Sequence, residues 1–382
     1  MSRKLSRWIL VLINLLSLVM ILSPTVTMLV QEPVLLRSLL PVVFREETGS
    51  VLLSSESSVQ AEDTILQKLR EQEYLRKLQV DVRRLSGKTL QEGVFLTKDA
   101  MYEDIDIPNG LITNRNAEGM LEFVYRYYVP TYTMIVPTAC AIKQDEIVAN
   151  ARLFNQKGYI DNIYRQISGV ITSCDAYSVL FASLEEYTYY RTHPELTGLG
   201  GYYLYTVLAD KMSFRERTLA QFEQKFLDHE YYGSLYDKLQ YSGAEPDIVS
   251  YYRMSMFDRQ YTLTRFNEDG SIRIYDDLIV EEMIQEDPTN AVLGGAAPMI
   301  TIKVDSPYRD KLLIFADDTV KSYIPFLAAE YSEITIIDLT TVTEKQLKSL
   351  SVSQYDQVIF SYSLDTFSQV DFSEQLLYLA NK

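Results

Sequence analysis

The stretch YYRTHPELTGLGGYY, residues 189–203, is the most informative part of the chain. It contains His193, one of two histidines in the sequence, followed by Pro194 and Glu195. Thr197 precedes apolar residues at helical spacing, so its hydroxyl is expected to cap a helix that starts directly after it. The stretch therefore predicts a loop with titratable side chains that leads into a helix.

Outward from this loop, predicted strands and helices alternate along the body of the chain. The predicted strands are 132–137, 170–175, 311–315, 334–338 and 357–360, and the predicted helices are 117–127, 150–167, 319–331, 344–350 and 372–379. A hairpin is expected at 93–102, before the first of these helices. Repeated strand-helix units predict an α/β fold, a three-layer α/β/α sandwich with a mostly parallel sheet.

The regular alternation is interrupted over about 213–310, which we interpret as an inserted subdomain. Its predicted elements are a helix at 219–226 and strands at 261–265 and 272–275. These elements are short and mixed, so they do not predict further strand-helix units. The predicted domain therefore covers 89–382, with the insertion inside it.

The amino terminus resembles a signal anchor. Arg3, Lys4 and Arg7 precede an apolar run at 8–30, which is long enough to cross the ~30 Å hydrocarbon core of a bilayer. Basic residues before the run favour a cytoplasmic tip and an exported body. We predict a transmembrane helix within 1–31, followed at 32–88 by a linker and an amphipathic helix, and a location at the cell membrane with the body extracytoplasmic. A cleaved signal peptide is the alternative.

Composition narrows the classes of partner and cofactor. The net charge of −16 makes nucleic acid a poor partner. The two cysteines, Cys140 and Cys174, each follow a predicted strand, so a disulfide and two buried thiols both remain open. No Cys/His cluster is present, and the sequence predicts no metal site and no cofactor.

Several blocks together resemble the DHHW family, whose members carry Asp-His-His-Trp within a frame like that of residues 189–203. The other similar blocks are MIVPTA at 134–139, YGSLY at 232–236, VLGG at 292–295, and the segments 312–327 and 360–367. The resemblance runs from about residue 90 to the end. It implies a relative of SGNH hydrolases and of alginate O-acetylation proteins, with a Ser-His-Asp triad for acyl chemistry on glycan hydroxyls.

In this chain the residues at the family's chemical positions differ. The resemblance places His193 at the triad Asp, Glu195 at the triad His and Asp318 at the triad Ser. We expect Asp318 near the first turn of a helix, where its carboxylate would accept amide hydrogen bonds. The resemblance also suggests binding positions around this site, namely Tyr190, Arg191, Gly294, Gly295, Asp317 and Ser363.

Three interpretations of the site stay open. The first is a site that has lost catalysis and keeps the fold for binding. The second is a rebuilt site, in which Asp318 is a nucleophile or Asp317, Asp318, Glu195 and His193 hold a divalent cation. The third is a shifted register, in which the hydroxyl of Thr319 or Ser322 is the nucleophile.

In the third interpretation His193 serves as the base. We prefer the first interpretation, a membrane-anchored SGNH/DHHW-like protein that binds a cell-envelope glycan or supports an acyl-transfer partner protein. The alternative function is an active esterase or O-acetyltransferase that acts on glycan acetyl groups.

Overall fold

The computed structural model describes residues 73–147, 151–254 and 260–382. The predicted anchor at 1–31 and the linker after it lie outside the described residues. Within the described ranges, no helix combines the length and the apolar character needed to cross a bilayer. Residues Arg76–Lys382 form one compact unit.

Helices and strands follow one another along the described part of the chain. The helices are α1 (Glu73–Leu85), α2 (Gly110–Tyr127), α3 (Ala139–Ile142), α4 (Gln156–Ile167), α5 (Ala176–Ala182), α6 (Gly198–Met212), α7 (Ser234–Leu239), α8 (Met283–Glu286), α9 (Val320–Leu327), α10 (Glu344–Ser349), α11 (Leu364–Gln369) and α12 (Ser373–Ala380). The strands are β1 (Leu90–Gln91), β2 (Val94–Leu96), β3 (Met101–Glu103), β4 (Thr131–Val136), β5 (Thr172–Ser173), β6 (Phe222–Phe226), β7 (Ser250–Met254), β8 (Tyr261–Phe266), β9 (Ile272–Tyr275), β10 (Met299–Val304), β11 (Lys311–Ala316), β12 (Glu333–Ile337) and β13 (Gln357–Ser363).

The central sheet is mixed, which corrects the prediction of a mostly parallel sheet. Its eight strands lie in the order β5-β4-β13-β11-β12-β10-β8-β9. The first five are mutually parallel. The last three pair antiparallel and come from the inserted region. The insertion therefore extends the main sheet along one edge, while its β6 and β7 form a separate two-stranded sheet.

Helices cover both faces of this sheet because the strands alternate their apolar side chains. On β11, Leu312 and Ile314 belong to the apolar core that also contains residues of α6 and α9. Leu313 and Phe315 belong to the opposite core, with residues of α2, α4 and α12. Each such side chain contributes about 1.5–3 kcal/mol when fully buried. The three-layer arrangement follows from two buried sheet faces.

Most of the predicted elements are present. The hairpin forms from β2 and β3, and α6 starts after Thr197, whose hydroxyl accepts the Gly200 amide at 3.2 Å. The predicted helix at 219–226 is wrong, since residues Phe222–Phe226 form strand β6. Five residue pairs with β7 stabilise the extended form there, so the partner strand outweighs local helix propensity.

Each cysteine follows a strand, as predicted, and the two strands are neighbours. Cys140 lies in α3 after β4, and Cys174 lies directly after β5, which pairs with β4. Both are free and buried. Burial raises the pKa of the Cys174 thiol to about 12, so it stays protonated at neutral pH.

Three parallel strands end at the same edge of the sheet, and their carboxyl ends position the loops of the candidate site. These strands are β4, β11 and β13. Helix α6 packs closely against α9 beneath this edge. A Cβ atom at Gly201 would lie 1.8 Å from the Ser322 carbonyl oxygen, so only glycine permits this approach. The close contact brings the loop at 189–197 up to the start of α9.

Candidate functional site

A cavity of about 660 Å³ opens at the carboxyl ends of the parallel strands. This is the place where open α/β sheets bind ligands. Five residues from the sequence prediction line it: Tyr190, Glu195, Asp317, Asp318 and Ser363. The other four, His193, Arg191, Gly294 and Gly295, are not among its lining residues. The structure thus brings together just over half of the predicted site.

A buried lysine occupies the centre of the predicted triad positions. Lys321, on α9, is 5% exposed. Its ammonium group lies 3.0 Å from the Glu195 carboxylate and 3.5 Å from that of Asp318. It also donates a hydrogen bond of 2.6 Å to the Asn290 side-chain oxygen. The positions that the resemblance assigned to the triad His and Ser are therefore joined through one lysine.

The ion pair shifts the pKa values of its members. Burial opposes the charged form of Lys321, but the carboxylates of Glu195 and Asp318 outweigh burial and raise the pKa of the ammonium group. Burial would raise the pKa of Glu195, but Lys321, and next His193, lower it. The pKa of Asp318 is raised by burial, against the effect of Lys321. Lys321 is consequently protonated at neutral pH, and it is not a nucleophile or a base.

Asp317, and not Asp318, orders the loop between β11 and α9. One carboxylate oxygen of Asp317 accepts the Thr319 amide at 3.1 Å and the Thr319 hydroxyl at 2.7 Å. The other accepts the amide and the hydroxyl of Ser363, at the end of β13. The expectation that Asp318 accepts the amide hydrogen bonds is wrong, because Asp318 turns towards Lys321 instead.

The hydroxyls of the shifted-register interpretation are bonded elsewhere. Thr319 donates to Asp317. Ser322 donates to the Thr319 carbonyl at 2.8 Å, one turn back in its own helix. Neither hydroxyl bonds His193 in the described residues. Neither hydroxyl therefore has an imidazole base to activate it, and the Asp317 carboxylate is a weak base for a hydroxyl.

His193 instead lies close to Ser234, which the sequence analysis did not suggest as a site residue. The Ser234 hydroxyl lies 3.2 Å from His193 Nδ1. On the other side of the ring, Nε2 lies 3.6 Å from Glu195 Oε1. This order, hydroxyl, imidazole and carboxylate, is that of a catalytic triad, so its surroundings decide what it does.

In the described part of the chain, the backbone amides around Ser234 are already bonded. The Ser234 amide itself points to His193 Nδ1 at 3.4 Å, and the Gly233 amide donates to the Thr192 hydroxyl. The next two amides, of Leu235 and Tyr236, bond the Thr192 carbonyl. Acyl transfer needs free donors beside the nucleophile. His193 therefore acts as an acceptor at the start of α7, and Ser234 lies outside the cavity lining.

Asp247 holds the loop that carries His193 and Glu195. This buried carboxylate accepts the amides of Arg191 and Thr192, the latter at 3.0 Å. It also accepts the hydroxyls of Thr192 and Tyr187. The Arg191 guanidinium packs over the Tyr187 ring at 4.9 Å, away from the cavity. Arg191 thus supports the loop and does not line the predicted binding site.

Gly294 and Gly295 lie outside the cavity lining and support the site indirectly. Gly294 and Gly295 have φ of +70° and +82°, a region that favours glycine. The Arg265 guanidinium donates to the carbonyls of Leu293, Gly295 and Ala296. A Cβ at Gly295 would lie 3.1 Å from Asn290, the residue that bonds Lys321. The glycine turn therefore helps to place Asn290 against the ion pair.

Comparison with known proteins shows the family to which the chain belongs. The model of the DHHW protein family matches residues 84–337, more than half of the chain. The chain belongs to the DHHW family. The resemblance found in the sequence is therefore confirmed. No curated protein matches the chain.

Solved structures share the fold of this DHHW protein. A DHHW family protein from Eubacterium siraeum is 20% identical, with a TM-score of 0.59 over 74% of this chain and 96% of that one. PatB1 from Bacillus cereus is 12% identical, with a TM-score of 0.62 over 73% and 97%. At such identities the likeness concerns the fold.

The cation-site interpretation finds no support in the described residues of this DHHW protein. They contain no group of three or more His, Cys, Asp and Glu side chains placed to hold a metal ion. Lys321 lies between Glu195 and Asp318, where the cation was expected. A protonated lysine beside these carboxylates competes directly with a divalent cation.

Four residues of the site were missed by the sequence analysis: Lys321, Asn290, Arg265 and Asp247. Lys321 has one local partner, Asp318, three residues before it. Its other partners, Asn290 and Glu195, lie 31 and 126 positions away, so no local pattern shows them. One signal was present for Lys321. It stands in VKSYIPFL, an otherwise largely apolar helix, and a charged residue buried in such a helix needs a partner.

Proposed function

We propose that this DHHW protein is a non-catalytic member of its family that binds a cell-envelope polysaccharide or supports an acyl-transfer partner protein. One observation carries the proposal. The Lys321 ammonium pairs with Glu195 at 3.0 Å, and at the triad positions that the resemblance assigns this pair stands where acyl transfer would need a free base and a free hydroxyl. The cavity around it stays open and lined by polar and aromatic side chains.

The equivalence with the family triad is part of this proposal. If Glu195 stands for the triad His, its carboxylate is a weak base for a hydroxyl, and Lys321 lowers its pKa further. If Asp318 stands for the triad Ser, the chain has a carboxylate where a hydroxyl would attack. These exchanges, together with the ion pair, leave a pocket that binds without reacting.

The enzyme alternative is favoured by one arrangement, the line of Ser234, His193 and Glu195. In this alternative the protein is an esterase or O-acetyltransferase with a relocated nucleophile. Against it stand the occupied amides around Ser234 and the pairing of Glu195 with Lys321. We therefore retain Ser234 as the residue whose behaviour decides between the two.

The anchoring and location of the protein also belong to the proposal. The basic tip and the apolar run at 8–30 would hold the chain in the cell membrane, with the body outside the cytoplasm. There the cavity would meet envelope glycans. Protease protection in intact cells, with an epitope tag after residue 382, measures this orientation.

Two assays on the purified full-length protein test the function. Turnover of an acetyl ester, with acetylated glycan and with a chromogenic ester, is expected at the level of the buffer alone. Binding to polysaccharide from the envelope of the source cells is expected to saturate. Ester turnover that disappears in His193→Ala would establish the enzyme alternative. The Glu230→Ala variant, which changes an exposed residue, is the matched control.

A further inference from the structure

The charge of the cavity wall indicates which kind of glycan the cavity would bind. This inference rests on the proposed function. Few basic side chains line the cavity, and each has a carboxylate partner. Lys321 pairs with Glu195, and Lys238 lies 3.5 Å from Glu103. The remaining charged lining is acidic and includes Asp104, Asp106 and Asp365. The wall therefore carries uncompensated negative charge.

These carboxylates repel one another. The pKa of Asp365 is raised by burial and then by the charges of Asp106, Glu103 and Asp317. The pKa of Asp104 is raised by burial and by Asp106. Among the described residues, the Asp365 carboxylate has no cationic partner. A ligand with positive charge would relieve this repulsion on binding.

A second, independent feature points to a ligand with hydrogen-bonding groups. The Tyr190 side chain is 5% exposed and lines the cavity. Its hydroxyl donates no hydrogen bond within the part of the chain that the structure describes. Neighbouring tyrosines do have partners: Tyr189 donates to the Pro137 carbonyl at 2.6 Å, and Tyr251 to that of Pro288 at 3.0 Å. Because Tyr190 lines the cavity, its hydroxyl can bond a ligand there.

The size of the cavity and its aromatic lining fit a short glycan. About 660 Å³ lies within the range of about 300–1,000 Å³ that holds a ligand of several rings. Tyrosine rings offer apolar faces to the C–H side of a sugar and hydroxyls to its polar edge. An anionic glycan would be repelled by the acidic wall.

We propose that the cavity binds a glycan with free amino groups, in which protonated amines face Asp365 and Asp106 and a sugar hydroxyl bonds Tyr190. A deacetylated amino sugar carries both groups on one ring. Its N-acetylated counterpart has the same shape and hydroxyls but no charge. The pair therefore separates recognition of the amine from recognition of the sugar.

The test is calorimetric titration of the full-length protein in detergent at about pH 6, where exposed carboxylates are ionised. The probes are a tetrasaccharide of β-1,4-linked glucosamine, its N-acetylated form and tetralysine. The glucosamine probe is expected to bind at least about 10-fold more tightly than the N-acetylated one. Added salt should reduce the difference, because exposed charges are screened.

Variants connect this preference to the named residues. Asp365→Asn should weaken binding of the glucosamine probe about threefold to fivefold, and it should leave the N-acetylated probe unchanged. Tyr190→Phe should weaken both probes about threefold, since both carry the hydroxyl. Asp276→Asn, at an exposed position outside the cavity lining, is the control. If Asp365→Asn unfolds, Asp106→Asn replaces it.

Each other outcome overturns the inference in a recognisable way. Equal binding of both tetrasaccharides would refute the amine and leave glycan binding standing. Binding of tetralysine as tight as that of the glucosamine probe would show a site for basic peptides. If no probe and no envelope polysaccharide binds, the glycan-binding part of the proposed function fails as well.

Discussion

Replacing Lys321 with methionine tests the ion pair that the proposal depends on. The substitution keeps most of the side-chain volume and removes the charge. It leaves Glu195, whose side chain is 28% exposed, without its nearest cation. Breaking a buried pair from one side costs about 3–5 kcal/mol. Because Glu195 retains some contact with solvent, we expect the lower end, a loss of about 3 kcal/mol in the free energy of unfolding.

The pH dependence of stability provides a sharper readout than the size of the loss. In the native protein the pKa of Glu195 is lowered, so this group stabilises the fold above its ordinary pKa near 4.5, and that stability is lost as pH falls. Without Lys321, burial becomes the main influence and raises the pKa of Glu195. The same group then favours the fold at low pH, and stability falls as pH rises.

Urea unfolding between about pH 3 and 7.5, followed by circular dichroism, covers the range in which each protein is expected to change and measures both effects. The control is Lys238→Met. Its partner Glu103 is 3.5 Å away, and the two side chains are 39% and 44% exposed. An exposed pair of this kind contributes less than about 1 kcal/mol.

The double variant Lys321→Met with Glu195→Gln should recover most of the loss, because the unpaired charge is then gone. A loss below about 1 kcal/mol for Lys321→Met would refute the buried ion pair. So would a pH slope with the sign of the native protein.

Two further substitutions test how the site is held in place. Asp247→Ala leaves the buried donors of Thr192 and Tyr187 without an acceptor. It should lower the free energy of unfolding, measured in urea, by about 4 kcal/mol. A loss no larger than that of the surface variant Asp276→Ala would contradict this expectation. Gly201→Ala places a Cβ 1.8 Å from the Ser322 carbonyl and should cost at least about 3 kcal/mol. A native-like unfolding curve for Gly201→Ala would show that α6 and α9 are not in close contact.

The parallel half of the sheet was predictable from the sequence because each of its strands is a short apolar run between turn signals. Residues 311–315 and 357–360 show this pattern, and they became the buried strands β11 and β13. The antiparallel half was not foreseen. Strands β8 and β9 were predicted, but their joining to the main sheet depends on pairing with β10, a distant strand.

The site residues that follow strands were predictable from the sequence. The partner that each of their side chains contacts was not. Asp317 and Asp318 follow β11, and Ser363 ends β13, so their convergence with Glu195 on one cavity could be expected. The roles of the two aspartates were exchanged, because either carboxylate could cap the next turn. Nothing local distinguished Asp317, which bonds Ser363 across the sheet edge, from Asp318.

The most direct test of the central claim is labelling of hydroxyls with a sulfonyl fluoride, read by mass spectrometry of the intact full-length protein and its peptides. Reagents of this kind mark activated nucleophiles. We predict that no serine or threonine of this chain reacts faster than in the unfolded protein. Stoichiometric modification of Ser234, abolished by His193→Ala, would contradict the account.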